Sequence, residues 1–577
     1  MERESKNPIA CYIIGDAMIT ALGETTSENL RAIKEYQSGI QLDGSGDFLS
    51  RPIQVARIKQ TVYDSFARYD SLEFTKAETL IVSVIEDLIL QYQVDLQSFD
   101  TGLILATTKG NIDQLTLSDA IPTQTWLPAL GLKIEQYFKT TNRIKIISNA
   151  CISGVSALIV GKRLIQNSTY KQVVVVGCDV LSPFIASGFS SFRSISPTQC
   201  KPYDESRNGL NLGEACGALL LSATPSADAI ILSGGAITND ANHISGPSRT
   251  GYELHLAMDK AMNEANILAK DVSFLDLHGT ATVFNDEMES KAVSLSELAE
   301  VPVQSLKPYF GHTLGASGII ETIISAHELK DGICWATLGF EKTGTSVPLR
   351  VSNLHQPLDM MHCVKTASGF GGCNAAIVLS LPEFQKPSES SEPITVSRLR
   401  SVLVEDSKIF VDSGLVFESA EKDFPTFIRQ ANKNFGFVNQ KFYKMDDLCK
   451  LGYIASSYLL EGIDFDSEKT GIILSNKSSS LDTDHKHAKL LFKEGESGVS
   501  PTVFVYTLPN VVLGELCIRH KIKGENTFFI TNSYEEADLI DYSTSVMRSD
   551  NLDYCIMGWC ELFEDNYKAE FKLLKKI

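Results

Sequence analysis

RIKIISNACISG, residues 143–154, decides how the chain is read. Its first half, RIKIIS, is a β-branched run of the kind that forms a short buried strand. Cys151 follows, and Ile152–Gln166 then continues at helix length without a proline. A strand turning directly into a helix puts the intervening thiol at a helix N-terminus. Unpaired N–H groups and a partial positive charge there favour the thiolate. Ser153 and Gly154 are small, so the turn can be tight and a substrate can approach. Taken alone, the segment fits an inert buried cysteine equally well, the commoner use of that residue.

Outward from this point the same alternation continues. ACYIIGD, TGLILATT, QVVVVGCD, ACGALLLS, AIILSGG and FLDLHG read as strands, and Phe74–Gln91 and Tyr252–Ala269 have helix length. Such alternation builds layered α/β structure with buried strands. QKPSESSEP at 385–393 is polar and rich in Pro and Ser, and reads as a linker. Beyond it the pattern starts again. TGLILATTKGNID (101–113) has a counterpart in TGIILSNKSSSLD (470–482), RIKIISNAC (143–151) in NTFFITNS (526–533), and QVVVVGCDVL (172–181) in YCIMGWCEL (554–562). Three matches in one order argue for a duplicated unit. The alignment sets Ser533 where the first copy has Cys151, and the second copy stops near Ile577, before any counterpart of the first copy's second half.

At 577 residues the chain exceeds one ordinary domain of roughly 150 residues. Hydrophobic content of 43% and charged content of 21% are those of a globular protein. A net charge of −19 repels nucleic acid and anionic membrane, so neither is expected as a partner. Apolar runs such as VVVVG at 173–177 are far shorter than the ~20 residues of a membrane span. MERESKNPIACYIIGD has no apolar signal region, and the twelve cysteines are irregularly spaced with no CxxC pair. Buried thiols in a reducing cytoplasm are the expectation.

Two histidines stand out. LDLHGTATVFNDEMES (275–290) puts His278 at the end of an apolar strand, and KPYFGHTLGASG (307–318) puts His312 between glycines in a loop entering a helix. A lone loop histidine is more often structural, but two in Gly/Thr-rich turns ask for a shared role. With Cys151 they could also ligate a metal, although no spacing matches a zinc-ligand pair, and none is expected.

NACISG, PYDESRNGLNLGEACGA (202–218), LHGTATVFNDEME, KPYFGHTLGASG and SGFGGCNA (368–375) resemble, in this order, the signature blocks of β-ketoacyl-acyl-carrier-protein synthases, specifically the elongating Cys-His-His branch. The likeness covers residues ~10 to ~382. It implies a thiolase-like αβαβα ketosynthase at 1–384, in halves of about 1–224 and 225–384. A linker at 385–397 would then lead to a truncated, inactive half-thiolase-like α/β domain at 398–577, similar to a chain-length factor. The implied chemistry is decarboxylative condensation of an acyl group on Cys151 with a malonyl extender, His278 and His312 serving the enolate. The resemblance pairs Lys307 with Glu289 behind the histidines. It places an oxyanion hole at the N–H groups of Cys151 and Phe370, with Gly369 and Gly371 shaping the turn. It gives Thr280 and Thr282 to the pantetheine arm. No cofactor is implied beyond the phosphopantetheine of an acyl carrier protein, which is the expected partner.

The stretch from Thr108 to Ile144 is shorter than in the family and lacks its Pro-Asn block, whereas PTVFVYTLPNVVLGELCIRHKIKGEN (501–526) resembles that region better. A homodimer or internal pseudo-dimer is expected, with a strand at Thr527–Thr531 antiparallel to Arg143–Ser148. Two alternatives stay open. A thiolase would use a second cysteine such as Cys373, and a non-catalytic ketosynthase-like partner would usually lack Cys151.

Overall fold

The computed structural model describes residues 9–66, 72–118, 120–386, 393–436 and 440–577. Residues 1–8, on which part of the leader reading rests, and 387–392 of the expected linker lie outside these.

Three sheets share one strand plan. The first runs Lys145–Ile147, Thr101–Ala106, Gln172–Asp179, Ala215–Ser222, Tyr12–Ile19, the first three parallel and the last two each antiparallel to its neighbour. Gln172–Asp179 is buried along nearly its whole length, as a central strand covered on both faces must be. The second repeats the plan with Pro302–Gln304, Val272–Asp276, His362–Gly369, Cys373–Ser380 and Ile230–Asn239. Two helices, Ser153–Gln166 and Ser317–Asp331, form the layer between these sheets. They touch at Gly154, where a Cβ would lie 2.9 Å from the Gly315 carbonyl oxygen and from the Ile319 nitrogen. Lys76–Tyr92 covers the outer face of the first sheet and Tyr252–Glu264 that of the second. The result is the five-layer αβαβα arrangement.

The third sheet, Asn526–Ile530, Thr470–Asn476, Tyr554–Phe563, Asn566–Lys576 and Val396–Glu405, follows the same order and sense. Its edge strand Asn526–Ile530 runs antiparallel to Lys145–Ile147, with Phe529 opposite Ile147 and Ile530 opposite Ile146. Each edge would otherwise expose unpaired backbone groups. Asn149 extends the seam: its Nδ2 donates to the Asn526 carbonyl and its Oδ1 accepts the Phe528 N–H, both at 2.8 Å. The turn that carries Cys151 is thus stitched to the C-terminal unit at Asn149.

Buried charge reinforces the join. Arg163 pairs with Glu525 at 2.8 Å and Asp550 at 3.0 Å, and Lys109 with Asp484 at 2.6 Å. Helix ends differ slightly from the sequence reading. Thr75 caps the first long helix through a capping box with Glu78, so it begins at Lys76. The helix expected to reach Ala269 ends at Glu264.

Candidate active site

Cys151 sits in a 3-10 turn, Ala150–Ile152, that feeds the Ser153–Gln166 helix. Ala150 holds the left-handed φ of +48°, which costs a non-glycine residue about 1–2 kcal/mol. Ser153 secures the turn, its Oγ accepting the Asn149 N–H at 2.8 Å and donating to the Ala150 carbonyl at 2.6 Å. Leu314, φ +55°, makes the corresponding turn before the Ser317–Asp331 helix. The two halves thus present matching elbows, of which only the first carries a thiol.

His278 follows the Val272–Asp276 strand and His312 the short Lys307–Phe310 helix; both are buried. A ring nitrogen of each histidine and the Cys151 Sγ lie within 4.8 Å of one another. The imidazoles meet edge to face, centroids 5.1 Å apart. Their tautomers follow from their neighbours. Lys307 Nζ lies 3.3 Å from His278 Nδ1, and the Leu314 N–H donates to His312 Nδ1 at 3.3 Å. Both Nδ1 atoms therefore accept, and both protons belong on Nε2. The pair is an array of two N–H donors beside a thiol. As a metal site it fits poorly, because Nε2 lone pairs are not free and the Lys307 ammonium stands close behind.

The lysine's partner is not the expected one. Lys307 pairs with Glu321 at 2.8 Å, not with Glu289. Glu289 is occupied differently: its carboxylate accepts the backbone N–H groups of His278 (2.7 Å) and Gly279 (2.8 Å) and the Tyr203 hydroxyl (3.0 Å). It holds the loop, while Glu321 holds the lysine. Glu321 also bonds Lys365, which lies 3.5 Å from Asp276. Burial works against the charged Glu321, but Lys307 and Lys365 overcome it and keep the carboxyl below its ordinary value. Asp276, buried beside Glu321, is pushed up to about 7.

Burial, then the Lys307 charge, holds both histidines well below the ordinary histidine value. They stay neutral donors through the pH range in which a free imidazole, near 6.5, would titrate. Any step that uses these rings as neutral donors is expected to stay flat from about pH 8 to about pH 6 in a pH–rate profile; a titration near 6.5 would contradict this. Stability behaves oppositely. Below about 6.5 the unfolded chain takes up protons that the folded chain refuses, so the contribution of these groups is complete above that value and is lost on acidification. The thermal midpoint should fall accordingly.

Cys151 is 8% exposed, and burial pushes its thiol up to about 12, with Lys307 pulling the other way. Burial therefore opposes the thiolate that the helix N-terminus favours.

The Gly369–Gly372 turn closes the site. A Cβ on Gly369 would lie 3.1 Å from the Cys151 nitrogen, a tight contact that glycine avoids where the turn approaches the Cys151 N–H. Gly371 and Gly372 take φ of +90° and +70°. The half-buried Phe370 ring lies 5.3 Å from Phe192 and 6.1 Å from Phe189. Thr280 and Thr282 hydroxyls bond each other at 2.8 Å beside His278.

Sequence reasoning missed Glu321, Lys365 and Asn149, and also Asp179. Asp179 accepts from Thr107 Oγ1 (2.8 Å), the Thr108 N–H (3.0 Å) and the Gly315 N–H (2.7 Å), tying the loop after the Thr101–Ala106 strand to the second elbow. The one available signal was its place directly after the buried VVVVGC run. All twelve cysteines are buried and free. Among the described residues no helix is long and apolar enough to cross a membrane.

A thiolase-like fold thus holds a buried cluster of Cys151, His278 and His312, and comparison with known proteins shows what the chain resembles. Residues 133–227 match the beta-ketoacyl synthase N-terminal domain and 229–341 its C-terminal domain. Over these residues the chain is similar to the β-ketoacyl synthases. Over 245 residues it is 33% identical to 3-oxoacyl-[acyl-carrier-protein] synthase 2 of Staphylococcus aureus, covering 40% of this chain and 61% of that protein. The enzyme of the same name from Vibrio harveyi is 32% identical over 251 residues, 40% of this chain and 60% of that one. The match thus spans about three-fifths of these relatives.

Among solved structures, PfaC Keto synthase-Chain length factor shares the fold at a TM-score of 0.78 and 12% identity, over 98% of this chain and 78% of that one. The ketosynthase ApeO in complex with its chain length factor ApeC, from Xenorhabdus doucetiae, aligns at 0.58 and 24% identity, over 66% and 100%.

Proposed function

We propose that the chain is a decarboxylating β-ketoacyl-acyl-carrier-protein synthase, with a ketosynthase at 1–384 and a catalytically silent partner unit at 398–577. The observation that carries this is the convergence of the Cys151 thiol with a ring nitrogen of each of two neutral imidazoles, whose protons belong on Nε2. In the first half-reaction Cys151 attacks an acyl thioester on the carrier's phosphopantetheine. The tetrahedral oxyanion is met by the N–H groups of Cys151 and Phe370. Its collapse leaves an acyl-enzyme, and the proton lost by the thiol balances the one gained by the departing pantetheine sulfur.

In the second half-reaction a malonyl thioester places its carbonyl oxygen at the two Nε2–H donors. Loss of CO2 leaves the electron pair as an enolate whose charge those donors hold. The enolate carbon attacks the acyl group and expels Cys151 as thiolate. Lys307 and Glu289 position His278. Thr280 and Thr282 have hydroxyls of the right kind to bond the pantetheine amides. Incubation with an acylated carrier and malonyl carrier should give a β-ketoacyl product and CO2 only while Cys151 is present.

The partner unit supports a chain-length role. Ser533, aligned with Cys151, is exposed and donates to Glu535 at 2.7 Å, so it has no catalytic pocket. Phe504 reaches into the apolar cluster with Phe184, Phe189 and Phe192, which continues to Phe370 and Leu314. Its ring lies 5.5 Å from Phe189, itself 6.4 Å from His312. Phe504→Ala is expected to shift products towards longer chains, read by mass spectrometry of carrier-bound intermediates. An unchanged length distribution would remove the partner unit from length control.

A further inference from the structure

The C-terminal unit touches the catalytic turn itself. Asn510 Nδ2 donates to the Phe370 carbonyl at 2.8 Å and lies 3.7 Å from Cys373 Sγ. Asn510 is 1% exposed, and its Oδ1 has no hydrogen-bond partner among the described residues. One turn along the Val511–His520 helix, Gly514 lies flat on the same turn: a Cβ there would stand 2.5 Å from the Gly371 oxygen and 2.8 Å from its Cα. The amide orientation of Asn510 is fixed by this contact, because a flipped amide would set its oxygen against the Phe370 oxygen.

We infer that Asn510, backed by Gly514, is a positioning residue supplied by the silent unit to the armed site. The inference rests on the ketosynthase reading above. The peptide linking Phe370 and Gly371 is held at both ends, its carbonyl by Asn510 and its N–H by the Ile244 carbonyl at 2.7 Å. Fixing that plane fixes the backbone on its N-terminal side, where the Phe370 N–H must point at a developing oxyanion. The own-unit clamps, Ile244 and Asn239 (2.9 Å to the Gly371 oxygen), hold the N–H and the following carbonyl. Among the described residues the Phe370 carbonyl has two donors, Asn510 at 2.8 Å and the Cys373 thiol. The thiol, 3.3 Å away, is a far weaker donor.

The distribution of the motif agrees. LPNVVLG (508–514) belongs to the second copy, and the region from Thr108 to Ile144 in the first copy has no such Pro-Asn block. In a symmetric dimer each subunit would present the same patch to the other. Here the Pro-Asn block of the second copy meets the glycine turn of the first.

The test uses the full chain and the two half-reactions apart. Acylation of Cys151 by an octanoyl-acyl-carrier-protein thioester uses the Phe370 N–H. Decarboxylation of malonyl-acyl carrier protein without an acyl donor uses the histidines. Asn510→Ala and Gly514→Ala disturb the turn by opposite means, one by releasing it and one by pushing it. Both are expected to slow acylation about tenfold or more, since small misplacement of a positioned group is costly. Decarboxylation should stay within about twofold, because its donors are elsewhere. Acylation unchanged in both variants, or both half-reactions falling together with the folded fraction, would overturn the latch. A native chain that forms no acyl adduct would instead remove the ketosynthase reading, and the latch with it.

Discussion

His278→Ala and His312→Ala are each expected to keep the acyl adduct on Cys151 while losing malonyl decarboxylation by roughly 10²–10³-fold, the usual effect of removing one preorganised oxyanion donor. The reason lies in the tautomers. With Nδ1 of one ring against Lys307 and of the other accepting the Leu314 N–H, each imidazole offers its proton at Nε2 and nowhere else. Both rings are buried and neutral, so the enolate is met by two dipoles already in place and largely removed from water. Alanine at either position leaves one donor. Because the two act on a single oxygen, the double variant should lose much less than the product of the single losses. CO2 release measured beside intact-protein mass separates the half-reactions. Undiminished CO2 release in both variants would refute the role.

Arg163→Ala should lower stability by about 3–5 kcal/mol, the cost of leaving buried charges without their partner. The guanidinium sits in the last turn of the nucleophile helix and bonds Glu525, just before the seam strand, and Asp550, just after the following helix. All three side chains are almost fully buried. By contrast the half-exposed pair of Lys145 and Asp538, on the same seam, should contribute at most about 1 kcal/mol. Denaturant unfolding of the two charge-removal variants, Arg163→Ala and Lys145→Ala, gives the comparison. Equal midpoints would show that the buried network does not secure the units to each other.

The nucleophile turn and the threefold strand plan were legible because they depend on local sequence. Runs such as QVVVVGCD become buried central strands wherever they occur, and a small-residue turn after RIKIIS leaves little freedom at Cys151. The edge pairing could be expected because two unpaired strand edges of the same kind had to be satisfied, and Phe529 does face Ile147. The partner of Lys307 was not legible. Two glutamates, Glu289 and Glu321, lie on helices after the two histidine turns, and a linear sequence does not say which helix faces the lysine. Glu321 lies in GIIETIIS, where a lone acid usually marks a solvent face; here that helix is the central layer, and the acid meets two buried lysines. Asn149 was read as part of a turn, since its partners lie more than 370 residues away. The burial that opposes the Cys151 thiolate was not legible for a related reason. Helix position is visible in sequence, but the depth of burial that opposes the thiolate is set by the whole fold.

Cys151 is the residue on which everything else converges: the elbow, the two imidazoles, the glycine turn and the reach of the C-terminal unit. The most direct measurement is intact mass of the full chain after incubation with an acyl-acyl-carrier-protein thioester, followed by peptide mapping. One acyl group per chain, on Cys151 and absent from Cys151→Ala, is the expected result. No adduct, or an adduct that survives Cys151→Ala on Ser533 or any other residue, would contradict the account.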